Sequence, residues 1–119
     1  MSSWIRSEPL PRLIGGLLIR PRGHIRAATS EEFREHVNGL LADGLTTWLV
    51  VDLSEVDSID SSTAGYLLNL HDKMSQRGGS LALADLSPAV RVVIESIGLM
   101  TFFTVTETVQ DAVEEFRSR

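Results

Sequence analysis

The chain contains no cysteine. Disulfides and thiolate metal sites are therefore excluded. Its three histidines are scattered, at His24, His36 and His71, and without cysteine beside them they do not suggest a metal centre. Positive charge is in deficit. There are 11 Lys and Arg against 16 Asp and Glu, a net charge of -5. Nothing electrostatic draws such a molecule to nucleic acid or to an anionic membrane. Neutral or basic protein surfaces are the partners that fit. No apolar run approaches the roughly 20 residues that span a bilayer. The opening Met1-Ser2-Ser3-Trp4-Ile5-Arg6 lacks the basic-then-apolar pattern of a signal peptide. Internal repeats, low-complexity tracts and linkers are absent too. These absences predict a soluble cytoplasmic protein with no cofactor, no metal and no membrane insertion.

What is present suits one compact domain. The 119 residues are 43% hydrophobic, enough for an ordinary core but too few for two domains. Residues 1–12 carry two prolines and read as an N-terminal arm or edge strand. Residues 13–117 read as the domain proper. Leu13 to Arg20 predicts a strand weakened or bulged at Gly15-Gly16. Thr29-Ser30-Glu31-Glu32 has the form of a capping box, ahead of a helix with Phe33, Val37, Leu40 and Leu41 on one face. Gly44 suits its left-handed end. Thr47 to Val51 is apolar on both alternating faces, as a central covered strand should be. Ala64, Leu67, Leu68, His71 and Met74 repeat at helical spacing, up to Gly78-Gly79. His71 then falls on an apolar face, as a hydrogen-bonded core histidine. A strand over Ser80 to Ala84 follows. Ser87-Pro88 is a cap and first helical residue, Phe102 to Val105 a last strand, and Thr108 with Asp111 a second capping box. Strands alternating with helices predict an α/β fold with a mixed, mostly parallel sheet of four to five strands and about four helices.

The most informative stretch runs from Val51 to Gly65. An apolar strand ends in acidic residues, and Ser61, Ser62 and Thr63 then stand where a helix should begin. A helix N-terminus offers free N–H groups and a positive dipole end, so it welcomes negative charge. Hydroxyls there are either caps or places to put a phosphate. Asp52 and Asp60 do not make a catalytic pair, because no nucleophile or base accompanies them in the motif.

The segments Asp52-Leu53-Ser54, Ile59-Asp60-Ser61-Ser62, Gly78-Gly79-Ser80-Leu81, Leu86-Ser87-Pro88-Ala89-Val90-Arg91 and Gly98-Leu99 fall in a familiar order and spacing. Together they resemble the STAS domain family, and within it the small bacterial anti-sigma factor antagonists, from about Leu13 to Phe116. The resemblance implies a non-enzymatic regulator that binds a kinase-type anti-sigma factor and frees a sigma factor. It also implies that the kinase phosphorylates the Ser after the Asp of an Asp-Ser-Ser motif, which ends binding, and that a serine phosphatase restores it. The matching position is Ser61, with Ser62 as fallback. The chain departs from the pattern twice. Thr63-Ala64-Gly65 stands where Gly-Leu-Gly is usual, and Gly23-His24-Ile25-Arg26 where Gly-Glu-Leu-Asp is usual. The alternative is a phosphorylation-independent STAS module, either a scaffold in a stressosome-like complex or a soluble subunit of a membrane transporter.

A partner surface is expected from Gly23, His24, Ile25 and Arg26, from Asp60, Ser62 and Thr63, and from a stripe on the following helix at Tyr66, Asn69, Leu70 and Lys73. Gly65 is expected to permit close approach of the sheet or of a partner. Arg20, Arg22 and Arg26 could face an acidic group or simply water. A weak homodimer is left open.

Overall fold

The computed structural model describes residues 3–119. The part of the N-terminal expectation that falls on Met1 and Ser2 lies outside the described residues. The elements run β1 (Ile5–Pro9), β2 (Gly16–Pro21), β3 (Gly23–Ile25), α1 (Ala28–Leu41), β4 (Trp48–Asp52), β5 (Val56–Ile59), α2 (Ser61–Gln76), β6 (Ser80–Ala84), α3 (Pro88–Ser96), β7 (Thr104–Thr106) and α4 (Val109–Arg117). The main sheet has five strands in the order β1-β2-β4-β6-β7. β1 is an antiparallel edge strand and the other pairings are parallel. The mixed, mostly parallel sheet with four helices is therefore what forms.

Alternation along the strands explains the layering. Leu49, Val51, Leu81 and Leu83 pack on one face with Phe33, Val37 and Leu41 of α1, Leu67, Leu70 and Met74 of α2, and Val90 and Ile94 of α3. Val50, Ala82 and Ala84 face the other way, against Ala112, Val113 and Phe116 of α4. Successive strand side chains point to opposite faces, so a strand covered on both sides must be apolar throughout. β4 meets this condition, with Leu49, Val50 and Val51 all fully buried. Small residues suffice on the α4 side because Phe116, stacked on Trp48 at 5.0 Å between centroids, fills the space.

Several elements differ from expectation. The strand expected over Leu13–Arg20 begins only at Gly16. Leu13 N–H and Gly16 N–H close turns onto Leu10 and Leu13 carbonyls, and Gly15 takes a left-handed φ of 77°. Residues 10–15 are therefore the turn of a β1–β2 hairpin. The last strand lies at Thr104–Thr106, two residues later than expected at its start. A small second sheet, β3 parallel to β5, was not expected at all, because strands of three and four residues carry almost no periodicity to read.

The caps divide. Ser87 Oγ accepts from Val90 N–H with Pro88 following, and Thr108 Oγ1 accepts from Asp111 N–H, as the sequence suggests. Thr29 is not a cap. The residue before α1 is Ala27, at φ 54°, ψ -122° and with no side-chain cap. Thr29 lies inside the first turn, and its Oγ1 sits 2.8 Å from the carbonyls of both His24 and Arg26. The turn that delivers the chain from β3 thus takes up the hydroxyl a cap would have used.

Candidate functional site

The site is built where β3, β5 and the first turns of α1 and α2 meet. Parallel pairing places His24 opposite Ser58 and Ile25 opposite Ile59, so the chain leaves both strands at the same end. Asp60 then caps α2. Its Oδ1 accepts from Thr63 N–H at 2.8 Å and lies 2.8 Å from Thr63 Oγ1. Its Oδ2 accepts from Ala27 N–H at 3.1 Å. One carboxylate therefore staples the starts of two helices. Partial burial works to raise its pKa, but the bonds from Thr63 and Ala27 outweigh it and hold the group below the ordinary 3.8.

Thr63 is the hub beneath this staple. It is 1% exposed, and besides Asp60 its hydroxyl oxygen lies 3.0 Å from the Ile25 carbonyl and 2.9 Å from Ser30 Oγ. Ser30, itself buried, stands in register with Phe33, Val37 and Leu41 on the inner face of α1. A serine on an otherwise apolar stripe was the one sequence signal of this contact, and it went unread.

Above the staple the surface is open. Ser61 is the first residue of α2 and is exposed. Ser62 is also exposed, and its Oγ accepts from Arg34 Nη1 of α1 at 3.2 Å. Nothing in the α1 sequence marked Arg34 as part of the site. His24 and Arg26 are exposed beside it, and His24 Nδ1 lies 2.7 Å from Ser58 Oγ. Gly65 is exposed, and a Cβ there would meet nothing within 4 Å. The sheet therefore does not need this glycine, contrary to one of the two reasons expected for it.

Four members of the expected partner surface are interior. Ile25 and Leu70 are fully buried, Thr63 is 1% exposed and Tyr66 only 8%. The stripe over Tyr66, Asn69, Leu70 and Lys73 fails as an exposed face because α1 packs along it. Phe33 meets the Tyr66 ring edge-on at 6.0 Å, and the Tyr66 hydroxyl donates to Asn38 Oδ1 at 2.6 Å. Burial pushes the Tyr66 hydroxyl up to about 12 despite the opposing field of Arg34. What remains outside on α2 is Ser61, Ser62, Gly65, Asn69 and Asp72, with Ser75 and Gln76 at its far end. His71, expected to be a satisfied core histidine, has a buried Nδ1 with no partner among the described residues and packs edge-on against Phe103. Arg20 is not free either: it pairs with Glu8 at 2.7 Å and Asp52 at 3.1 Å. Asp52 also accepts from Ser54 N–H, so it serves the strand end.

The family model for the STAS domain matches residues 9–112. The chain belongs to the STAS domain family. The anti-sigma F factor antagonist of Paenibacillus polymyxa is 25% identical over 101 residues, which is 85% of this chain and 86% of that one. An anti-sigma factor antagonist from Mycobacterium paratuberculosis superposes with a TM-score of 0.83 at 25% identity, covering 95% of this chain and 92% of that one. The anti-sigma factor antagonist SpoIIAA in its unphosphorylated form gives a TM-score of 0.79 at 22% identity, covering 97% of each chain. No helix among the described residues is long and apolar enough to cross a membrane.

Proposed function

We propose that this protein is an anti-sigma factor antagonist, a binding protein and not an enzyme. It engages a kinase-type anti-sigma factor in the cytoplasm and is switched off by phosphorylation of Ser61. The relatives support the general role. The observation that carries the switch is the division of labour between Asp60 and Ser61. Because Asp60 supplies the cap, Ser61 Oγ carries no structural duty. A phosphate can be added there without breaking a hydrogen bond, and the first turn of a helix tolerates its charge. The folded state is therefore kept while the surface changes by nearly two negative charges.

The partner surface in this reading is Gly23, His24 and Arg26 together with the exposed α2 residues Ser61, Ser62 and Gly65. The bare backbone at Gly65 lets a partner come close. A complementary surface built around a neutral hydroxyl would have to desolvate an unmatched phosphate, at several kcal/mol. Since about 1.4 kcal/mol is tenfold in affinity, binding should weaken by roughly a hundredfold or more. A serine phosphatase reverses the state.

The test is calorimetric. Protein carrying phosphoserine at 61, installed during translation, is compared with unmodified protein for binding to a kinase-type anti-sigma factor from the same organism. Ser61→Ala should bind and resist phosphorylation, and Ser61→Asp should bind poorly. Equal affinity of the phosphorylated and unmodified forms rules out the switch. That outcome would favour the phosphorylation-independent scaffold or transporter-subunit reading, for which the basic Arg26 in the site loop is the supporting feature.

A further inference from the structure

Two serines stand side by side at the start of α2, and the fold treats them differently. Ser61 Oγ has no hydrogen-bond partner among the described residues. Ser62 Oγ accepts from Arg34 at 3.2 Å. The contact is tertiary, since Arg34 lies 28 residues away on α1. Arg34 is also fixed at its backbone, where its carbonyl lies 3.4 Å from the Tyr66 hydroxyl. No ion pair occupies its guanidinium among the described residues. A guanidinium has five donors in a planar fork, and one of them is used on Ser62.

We propose that Arg34 sorts the two serines: it occupies the Ser62 hydroxyl and provides a phosphate placed there with an intramolecular counter-charge that a phosphate on Ser61 lacks. Phosphoryl transfer from ATP forms an Oγ–P bond and breaks the bond from the γ-phosphorus to its bridging oxygen. ADP leaves, and the hydroxyl proton passes to a base on the kinase. The accepting oxygen must present a lone pair in line with that phosphorus. Ser61 has both lone pairs free, whereas one of the two on Ser62 is engaged by Arg34, which leaves it less nucleophilic and more crowded. A phosphate that did reach Ser62 would find the Arg34 guanidinium already within reach, and a guanidinium can pair with phosphate through two parallel bonds. Its charge would be largely met inside the molecule. The same charge on Ser61 stays turned toward a partner, beside the Asp60 carboxylate. The biological use of this sorting rests on the phospho-switch reading above, but the pairing itself does not.

The experiment needs no kinase. Phosphoserine is installed at 61 or at 62 during translation of the full chain, and the second phosphate ionisation is followed by phosphorus NMR. The expected result is a pKa for the phosphate at 62 about half a unit or more below that at 61. Arg34→Gln should raise the pKa at 62 and leave that at 61 unchanged, and Arg34→Lys, which keeps the charge but not the fork, should restore part of the lowering at 62. Circular dichroism confirms that each variant is folded, so a change in pKa reports the local charge. Identical titration at the two positions, or a phosphate at 62 indifferent to Arg34→Gln, overturns the proposal. Calorimetry with the anti-sigma partner separates the two ideas. Equal binding by unmodified protein and by protein phosphorylated at 61 would remove the switch and leave the titration result standing.

Discussion

Thr63→Val is the sharpest probe of how the site is held. The change conserves shape and removes one hydroxyl. That hydroxyl lies 2.8 Å from Asp60 Oδ1, 2.9 Å from Ser30 Oγ and 3.0 Å from the Ile25 carbonyl. Its single proton serves one of these acceptors at a time, so the direct loss is one to two hydrogen bonds, about 1 kcal/mol each. Ser30 is 2% exposed, and leaving its hydroxyl unpaired adds about 1–3 kcal/mol. The Ile25 carbonyl loses less, since it also accepts from Asp60 N–H. The expected destabilisation is about 2–5 kcal/mol by urea unfolding, against a stability of roughly 5–15 kcal/mol for an ordinary domain. Ser30→Ala should cost about 1 kcal/mol less in the Thr63→Val background than alone, because its partner is already gone. The Asp60 pKa should rise, as one of the bonds holding it down has been removed, and carbon NMR of the carboxyl would record that. A loss below about 0.5 kcal/mol, or strictly additive single changes, would show that Thr63 is not the hub the distances make it.

Three further outcomes are expected. Tyr66→Ala should destabilise by about 3–5 kcal/mol, whereas Tyr66→Phe, which keeps the ring on Phe33 and loses only the bond to Asn38, should cost about 1 kcal/mol; similar urea midpoints for the two would mean that the ring is not core. Ala27→Gly should stabilise the chain by up to about 1 kcal/mol, since φ 54° with ψ -122° is glycine territory and strain there outweighs the extra chain entropy; a lower melting temperature would contradict this. Asp60 binds its proton less tightly folded than unfolded, so its ionisation supports the fold above the unfolded pKa and that support is lost as pH falls through the lower folded value. The stability gap between the native chain and Asp60→Asn should therefore be full at neutral pH and shrink below about pH 4; a gap that widens on acidification would reverse the sign of the argument.

Legibility followed the length and regularity of the signal. β4 was readable because a strand covered on both faces has no polar option at Leu49, Val50 or Val51. α3 and α4 were readable because Ser87-Pro88 and Thr108 with Asp111 are local devices, complete within four residues. α1 was misread at its start because the identity of a cap depends on what the incoming turn needs. Thr29 is a good cap in isolation, but here its hydroxyl serves the carbonyls of His24 and Arg26. The β3–β5 ladder was invisible for the same kind of reason: its strands are held by each other and by the loop around Asp60, not by their own composition.

The sequence by itself determined the layers, the helix count, the position of Ser61 at a helix start and the family resemblance, all of which rest on periodicity and on motifs within a few residues. Only the tertiary structure decided which faces of those helices see solvent. Tyr66 and Leu70 looked like surface because helical spacing says which residues share a face and not what lies against it. The packing of α1 along α2 put that face inside. The same packing brought Ser30 to Thr63, Ala27 to Asp60 and Arg34 to Ser62, across separations of 33, 33 and 28 residues. No local pattern encodes such contacts, since each exists only once the sheet has set the two helices side by side.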